Sequence, residues 1–290
     1  MAFTMGRFLT AMVSLTSLIC LAACGNPPYP RGAVNQLFAG SDVPTISKQV
    51  VQGRGISTAR VQADPKAAVA INNTMLLFVH GSPGDWKAWS YYLKTPDLAG
   101  FASRVAVDRP GFGDSVGAGL MTDLRKQAAV LSALIPAGQK AIVVGHSLGG
   151  PLAAWMAIDA PDKVCGAVSI AGSLSSRLEE PRWYNLLADF ALLNWAVPKE
   201  MVRSNQEMMP LAGELAKLEA ALGQLRTPLL LIQGGKDGLV DPETIDEVEK
   251  RAPQAWLKVM RLPSESHFVL WEKPQIVVDA IKNMSCVSSH

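Results

Sequence analysis

Ala141-Ile-Val-Val-Gly145-His-Ser147-Leu-Gly149-Gly-Pro151 carries a short apolar run into a G-x-S-x-G pattern and then into an Ala-rich, helix-like segment. The order reads as strand, sharp turn and helix. At such a turn the serine takes strained backbone angles, and Gly145 and Gly149 let strand and helix approach closely, so that the hydroxyl stands clear of its neighbours. A glycine-rich turn with an incidental serine has the same spelling, so the pattern needs partners elsewhere in the chain before it means chemistry.

Working outward, strands and helices alternate. Thr74-Met-Leu-Leu-Phe-Val79 is an unbroken apolar run, as expected of a parallel strand buried on both faces. It ends in the loop His80-Gly81-Ser82-Pro83-Gly84, after which Asp85 is placed to cap a helix through Trp89 and Leu93. Arg104–Val107 is a second short strand before Asp108-Arg109-Pro-Gly-Phe-Gly-Asp-Ser115, a loop by its proline and glycines. Thr122–Ile135 repeats apolar residues at helical spacing. Val164–Ile170, Pro228–Gln233 and Leu257–Leu262 read as further strands, Glu243–Arg251 and Pro274–Met284 as helices, and Ile56–Val61 as a weakly alternating first strand. This alternation predicts an α/β fold with a mostly parallel, twisted sheet and helices on both faces.

One segment breaks the rhythm. Between two strands, Ser173–Gly223 runs for about fifty residues rich in helix formers, too long for an ordinary connection. Trp183, Leu187 and Phe190 share one helical face there. The segment predicts an amphipathic helix on the core and, compatibly, a cap over a site.

The bulk numbers exclude some functions. Over 290 residues, the formal net charge is only +2 and the charges are dispersed, so no nucleic-acid surface is indicated. At the N-terminus, Arg7 precedes a short apolar stretch from Phe8 to about Leu21, too brief to span a bilayer comfortably and typical of a bacterial secretory signal peptide. Its end, Leu21-Ala-Ala-Cys24-Gly25, resembles the lipobox of bacterial lipoproteins, which implies lipidation of Cys24 as the first mature residue. Gly25 stands where an aspartate would favour inner-membrane retention. The resemblance therefore implies lipid anchoring in the cell envelope, at the outer membrane facing the periplasm in a Gram-negative cell. Gly25-Asn-Pro-Pro-Tyr-Pro-Arg-Gly32 then reads as a tether, since its prolines disfavour regular structure. Of four cysteines, Cys20 leaves with the signal, and Cys165 with Cys286 form a candidate disulfide in an oxidising envelope.

A serine hydroxyl is a weak nucleophile and needs a base, which needs an orienting acid. Of four histidines, His80 precedes a glycine loop, His146 flanks the serine and His290 is terminal. His267, in the loop Pro263-Ser-Glu-Ser-His-Phe268, follows a strand. Asp237, in Gly234-Gly-Lys-Asp-Gly238, follows another. In a parallel sheet the carboxyl ends of strands share one edge, so Ser147, Asp237 and His267 can converge there.

With these residues in hand, the chain resembles the α/β-hydrolase superfamily, in the capped branch that carries H-G-x-P-G, D-R-P-G-x-G-x-S and G-H-S-x-G-G. They stand here at His80–Gly84, Asp108–Ser115 and Gly145–Gly150. The resemblance implies Ser147 as nucleophile, His267 as general base and acid, Asp237 as orienter, and the backbone N–H groups of Ser82 and Leu148 as oxyanion hole. It implies no cofactor and no metal. Asp108 and Arg109 resemble structural supports of the site. The implied activity is that of a serine hydrolase on a small apolar acyl ester, with carbon–carbon or amide hydrolysis, acyl transfer and cofactor-free peroxidation open on the same triad. Outside enzymes, an idle hydrolase fold serving as a binding lipoprotein is the alternative. The corresponding division is a signal peptide at 1–23, a tether and N-terminal segment at 24–55, a core at 56–172 and 225–290, and a helical cap at 173–224.

Overall fold

The structure, a computed structural model, describes residue 38 and residues 43–64, 72–179, 197–284 and 286. The signal segment, Cys24, the proline-rich tether, His290 and the helical face of Trp183, Leu187 and Phe190 lie outside the described residues.

Eight strands form one sheet: β1 (Thr45–Val51), β2 (Arg54–Gln62), β3 (Asn72–Val79), β4 (Phe101–Val107), β5 (Lys140–His146), β6 (Val164–Ile170), β7 (Leu229–Gly234) and β8 (Leu257–Leu262). Their spatial order is β1-β2-β4-β3-β5-β6-β7-β8. β1 pairs antiparallel with β2, and β2 antiparallel with β4, while every later pairing is parallel. The apolar runs without alternation are the central parallel strands. Met75 through Val79 and Ala141 through Val144 are shielded on both faces.

The sheet starts at Thr45, within the stretch whose sequence read only as N-terminal segment. Thr45-Ile-Ser-Lys-Gln-Val-Val51 is exposed along almost its whole length and so lacks the apolar pattern that marks the inner strands. Its pairing with β2 supplies what its own composition does not.

Helices cover both faces. α1 (Ser90–Lys94) continues a 3₁₀ turn at Trp86–Trp89 that Asp85 caps by accepting the Lys87 N–H at 2.9 Å. α2 (Leu124–Ser132) is capped by Asp123, and α3 (Gly149–Asp159) follows β5 after the two-residue turn Ser147-Leu148. α4 (Lys199–Met208) and α5 (Leu211–Ala221) occupy the described part of the long insert, and α6 (Thr244–Glu249), α7 (Val269–Glu272) and α8 (Pro274–Lys282) complete the set. One core packs α2, α3 and α5 against one face through Leu131, Leu152, Trp155 and Leu218. The other packs Trp86, Trp89, Tyr92 and α8 against the opposite face through Phe78 and Ile281. None of the helices among the described residues is long and apolar enough to cross a membrane.

Cys165, near the start of β6, is bonded to Cys286 beyond α8, with Cα atoms 5.0 Å apart. This crosslink lies at the amino end of the strands, the end opposite the loops that hold Ser147, Asp237 and His267.

Candidate active site

Ser147 sits between β5 and α3 with φ of 53°, in the left-handed region that costs a non-glycine residue energy. The turn holds because glycines let backbone meet backbone. A Cβ on Gly145 would fall 2.0 Å from the Gly149 carbonyl oxygen, and one on Gly149 would fall 2.3 Å from that of Val79. The Ser147 N–H donates to the Ile170 carbonyl at 2.9 Å, tying the turn to β6. Leu148 precedes the first turn of α3, where backbone N–H groups lack partners within the helix and point towards negative charge.

Asp237 and His267 meet on the neighbouring loops. His267 Nδ1 donates to Asp237 Oδ2 at 2.8 Å, which in the neutral ring leaves Nε2 with its lone pair. Asp237 is fixed on both oxygens: Oδ2 also accepts from the Gln233 side-chain amide at 2.9 Å, and Oδ1 accepts the N–H groups of Leu239 and Val240, each at 2.9 Å. Burial alone would raise this carboxyl. The His267 hydrogen bond and charge, with the two backbone N–H groups, outweigh it and hold Asp237 below the ordinary carboxylate value. The two loops approach closely at Gly234, where a Cβ would lie 2.5 Å from the Glu265 and Ser266 carbonyl oxygens.

His146, the residue before Ser147, joins the two halves. Its Nε2 donates to the His267 carbonyl at 3.0 Å, and its ring lies 4.8 Å from the His267 ring and 5.1 Å from that of Trp271. Burial pushes His146 down to about 3, with the adjacent His267 adding to the effect, so it stays neutral and acts as a donor. The elbow and the histidine loop are thereby packed together at one edge of the sheet.

The first glycine loop closes the other side. A Cβ on Gly81 would lie 2.9 Å from the Ser147 Cβ, so the Gly81–Ser82 peptide runs directly beside the elbow. His80 is fully buried, donates from Nδ1 to the Gly81 carbonyl at 2.7 Å and accepts the Arg109 N–H on Nε2 at 3.0 Å. Burial, reinforced by the Arg109 charge, holds it well below the usual histidine value. Asp108 also has a structural place, accepting the Trp86 N–H at 2.8 Å and the Asp114 N–H at 2.9 Å. Burial raises its carboxyl to about 7 against the pull of those two bonds.

Sequence reasoning left one participant unnamed. Glu207 on α4 lies inside this cluster, its side chain 2% exposed against the fully buried guanidinium of Arg109. A single glutamate on a polar helix carries no motif, and only the fold shows that it turns inward.

Comparison with known proteins adds independent findings. The sequence profile of the Alpha/beta hydrolase family matches residues 76–280. The dihydrolipoyllysine-residue acetyltransferase component of the acetoin cleaving system of Pseudomonas putida is 27% identical over 236 residues, which cover 70% of this chain and 61% of that protein. The chain therefore spans less than two thirds of that relative's length. The pimeloyl-(acyl-carrier protein) methyl ester esterase of Sodalis glossinidius is 28% identical over 210 residues, covering 60% of this chain and 80% of the esterase. Among solved structures, the monoacylglycerol lipase of Paleococcus ferrophilus superposes with a TM-score of 0.61 at 19% identity, covering 79% of this chain and 99% of the lipase. A lipase-esterase related protein from Clostridium acetobutylicum gives 0.62 at 18% identity, with 79% and 99% covered. At these identities the solved structures speak for the fold.

Proposed function

From the premise that this chain belongs to the Alpha/beta hydrolase family, we propose that it is a serine hydrolase that cleaves a carboxylic ester of an apolar acyl group through an acyl-enzyme. The observation that carries the reading is the strained Ser147 elbow packed, through His146, against a histidine whose Nδ1 is engaged by a buried, ionised aspartate.

In this mechanism His267 Nε2 takes the proton from Ser147 Oγ as that oxygen attacks the substrate carbonyl. Asp237 fixes the ring and stabilises the positive charge it gains. The backbone N–H groups of Ser82 and Leu148 receive the developing oxyanion. His267 then gives its proton to the leaving alkoxide, leaving Ser147 acylated. Water, activated by the same imidazole, attacks the acyl carbon and releases acid and free Ser147.

The ester named in the Sodalis glossinidius relative supports this choice of bond. Passing the acyl group to a nucleophile other than water would give acyl transfer, a second reading that the name of the Pseudomonas putida relative supports. The lipobox-like Leu21–Cys24 further supports an enzyme held by lipid at the cell envelope. Cys24→Ser should then lose a lipid-sized mass and its membrane association, whereas an unchanged distribution would remove the anchor from the proposal.

The reaction is tested with a panel of esters and amides of graded acyl length on the purified chain, with Ser147→Ala as control. Ester turnover that Ser147→Ala abolishes while keeping a native melting transition is the expected result, and full activity in Ser147→Ala would refute the assignment.

A further inference from the structure

One of the two proposed oxyanion donors, the Ser82 N–H, is one half of a peptide unit whose other half is held by a network that reaches into the insert. The Gly81 carbonyl and the Ser82 N–H belong to the same planar group and point in opposite directions, so whatever fixes the carbonyl aims the N–H. The Gly81 carbonyl accepts from Arg109 Nη2 at 2.9 Å and from His80 Nδ1 at 2.7 Å. Arg109 in turn is gripped as a fork: Nη1 donates to Glu207 Oε1 at 2.8 Å and Nη2 to Glu207 Oε2 at 3.0 Å, with Nη1 also donating to Gln127 Oε1 at 2.8 Å. A planar guanidinium held bidentately has little freedom to swing, unlike one paired through a single contact. Glu207 also touches the loop directly, accepting the Ser82 hydroxyl on Oε2 at 2.7 Å. Ser204, one turn earlier on α4, places its hydroxyl 3.1 Å from that of Ser82.

We infer that Glu207 is a positioning residue for the oxyanion hole: this carboxylate of the insert sets the plane of the Gly81–Ser82 peptide, through Arg109 on its carbonyl side and through the Ser82 hydroxyl on its N–H side. The inference rests on the serine-hydrolase reading above. Its consequence is that α4 is more than a cover, because its seating on the core and the aim of the oxyanion donor are one event. A substrate that holds α4 in place holds the donor in place. Glu207 also neutralises the Arg109 charge that is buried beside the Gly81 carbonyl.

The test is the rate at which a fluorophosphonate probe labels Ser147. Its phosphoryl oxygen uses the oxyanion donors as serine attacks and fluoride leaves, so no knowledge of the natural substrate is needed. Removing one oxyanion donor outright costs about 10²- to 10³-fold, so mis-aiming one in Glu207→Gln should slow labelling by about 10- to 100-fold. On any ester the wild type turns over, kcat should fall with KM little changed, the signature of an interaction made in the transition state. A merely structural role would lower the melting temperature and leave the labelling rate of the folded fraction unchanged, and that result would overturn the inference. If Glu207→Gln does not fold, Ser82→Ala decides, because it keeps the backbone N–H and removes only the ties of the hydroxyl to Glu207 and Ser204 on α4: slowed labelling, with Ser204→Ala labelling as wild type, supports the inference, and wild-type labelling of Ser82→Ala overturns it. Folded wild-type protein that never labels would instead overturn the serine-hydrolase reading itself, an outcome distinct from equal labelling of wild type and variant.

Discussion

At the elbow, Gly145 and Gly149 bring main chain against main chain, and the carbonyl of Val79 lies where a single methyl group would have to go. At the insert, Leu215 and Leu218 of α5 pack into the core, and the polar ties are made by long carboxylates. Glu207 reaches Arg109 and Ser82, Glu214 accepts the Leu124 N–H at 3.0 Å, and Glu219, which accepts the Ser176 N–H at 2.7 Å and its hydroxyl at 2.9 Å within the insert, faces Arg251 at 3.9 Å. The elbow side of the site is defined by the absence of side chains and the insert side by the buried Glu207–Arg109 pair. The first has no tolerance for added volume, whereas the second can yield one tie at a time. That difference fits the proposed role of Ser147 as a nucleophile held rigidly by its backbone.

Three substitutions probe the site and this contrast, beginning with the carboxylate that holds His267. Asp237→Asn keeps the shape of the site but favours the wrong tautomer of His267, and its kcat should fall by about 10⁴-fold. A loss below tenfold in steady-state assays would mean that His267 is not the base. Gly149→Ala places a methyl group against the Val79 and His80 carbonyls and should destabilise by about 3 kcal/mol. Denaturant unfolding reads this, and a variant of wild-type stability would show that the elbow gives way more readily than its geometry implies. Glu219→Ala removes a tie of the insert and should cost only about 1–2 kcal/mol, for the loss of hydrogen-bond partners of Ser176. If it costs as much as Gly149→Ala, the distinction between a rigid and a yielding wall fails.

The same contrast explains what could be read from the sequence. Backbone sterics are written locally: Gly-x-Ser-x-Gly, the buried run of β3 and the cap at Asp85 each announce themselves within a few residues, and the mostly parallel sheet follows from the alternation of strands with helices, whereas the strand order does not. The meeting of Asp237 and His267 is legible because each follows a strand, and a parallel sheet gathers such positions at one edge. Glu207 was not, since its role depends on a partner, Arg109, far away in the chain and on the way α4 folds back. β1 was missed for a related reason: an exposed edge strand needs no apolar pattern, and its place is fixed by pairing with β2. His80 and His146 stood in view as histidines near the site. Only their hydrogen bonds reveal them as neutral supports, one for the first glycine loop and one for the histidine loop.

The central claim is that Ser147 is the nucleophile of this site, and it is tested most directly by intact-mass and peptide mapping after treatment of the folded chain with a fluorophosphonate. The account predicts one adduct, on Ser147, that is absent from Ser147→Ala and strongly slowed in Asp237→Asn. No adduct, or an adduct on Ser82 or another serine that persists in Ser147→Ala, would contradict it.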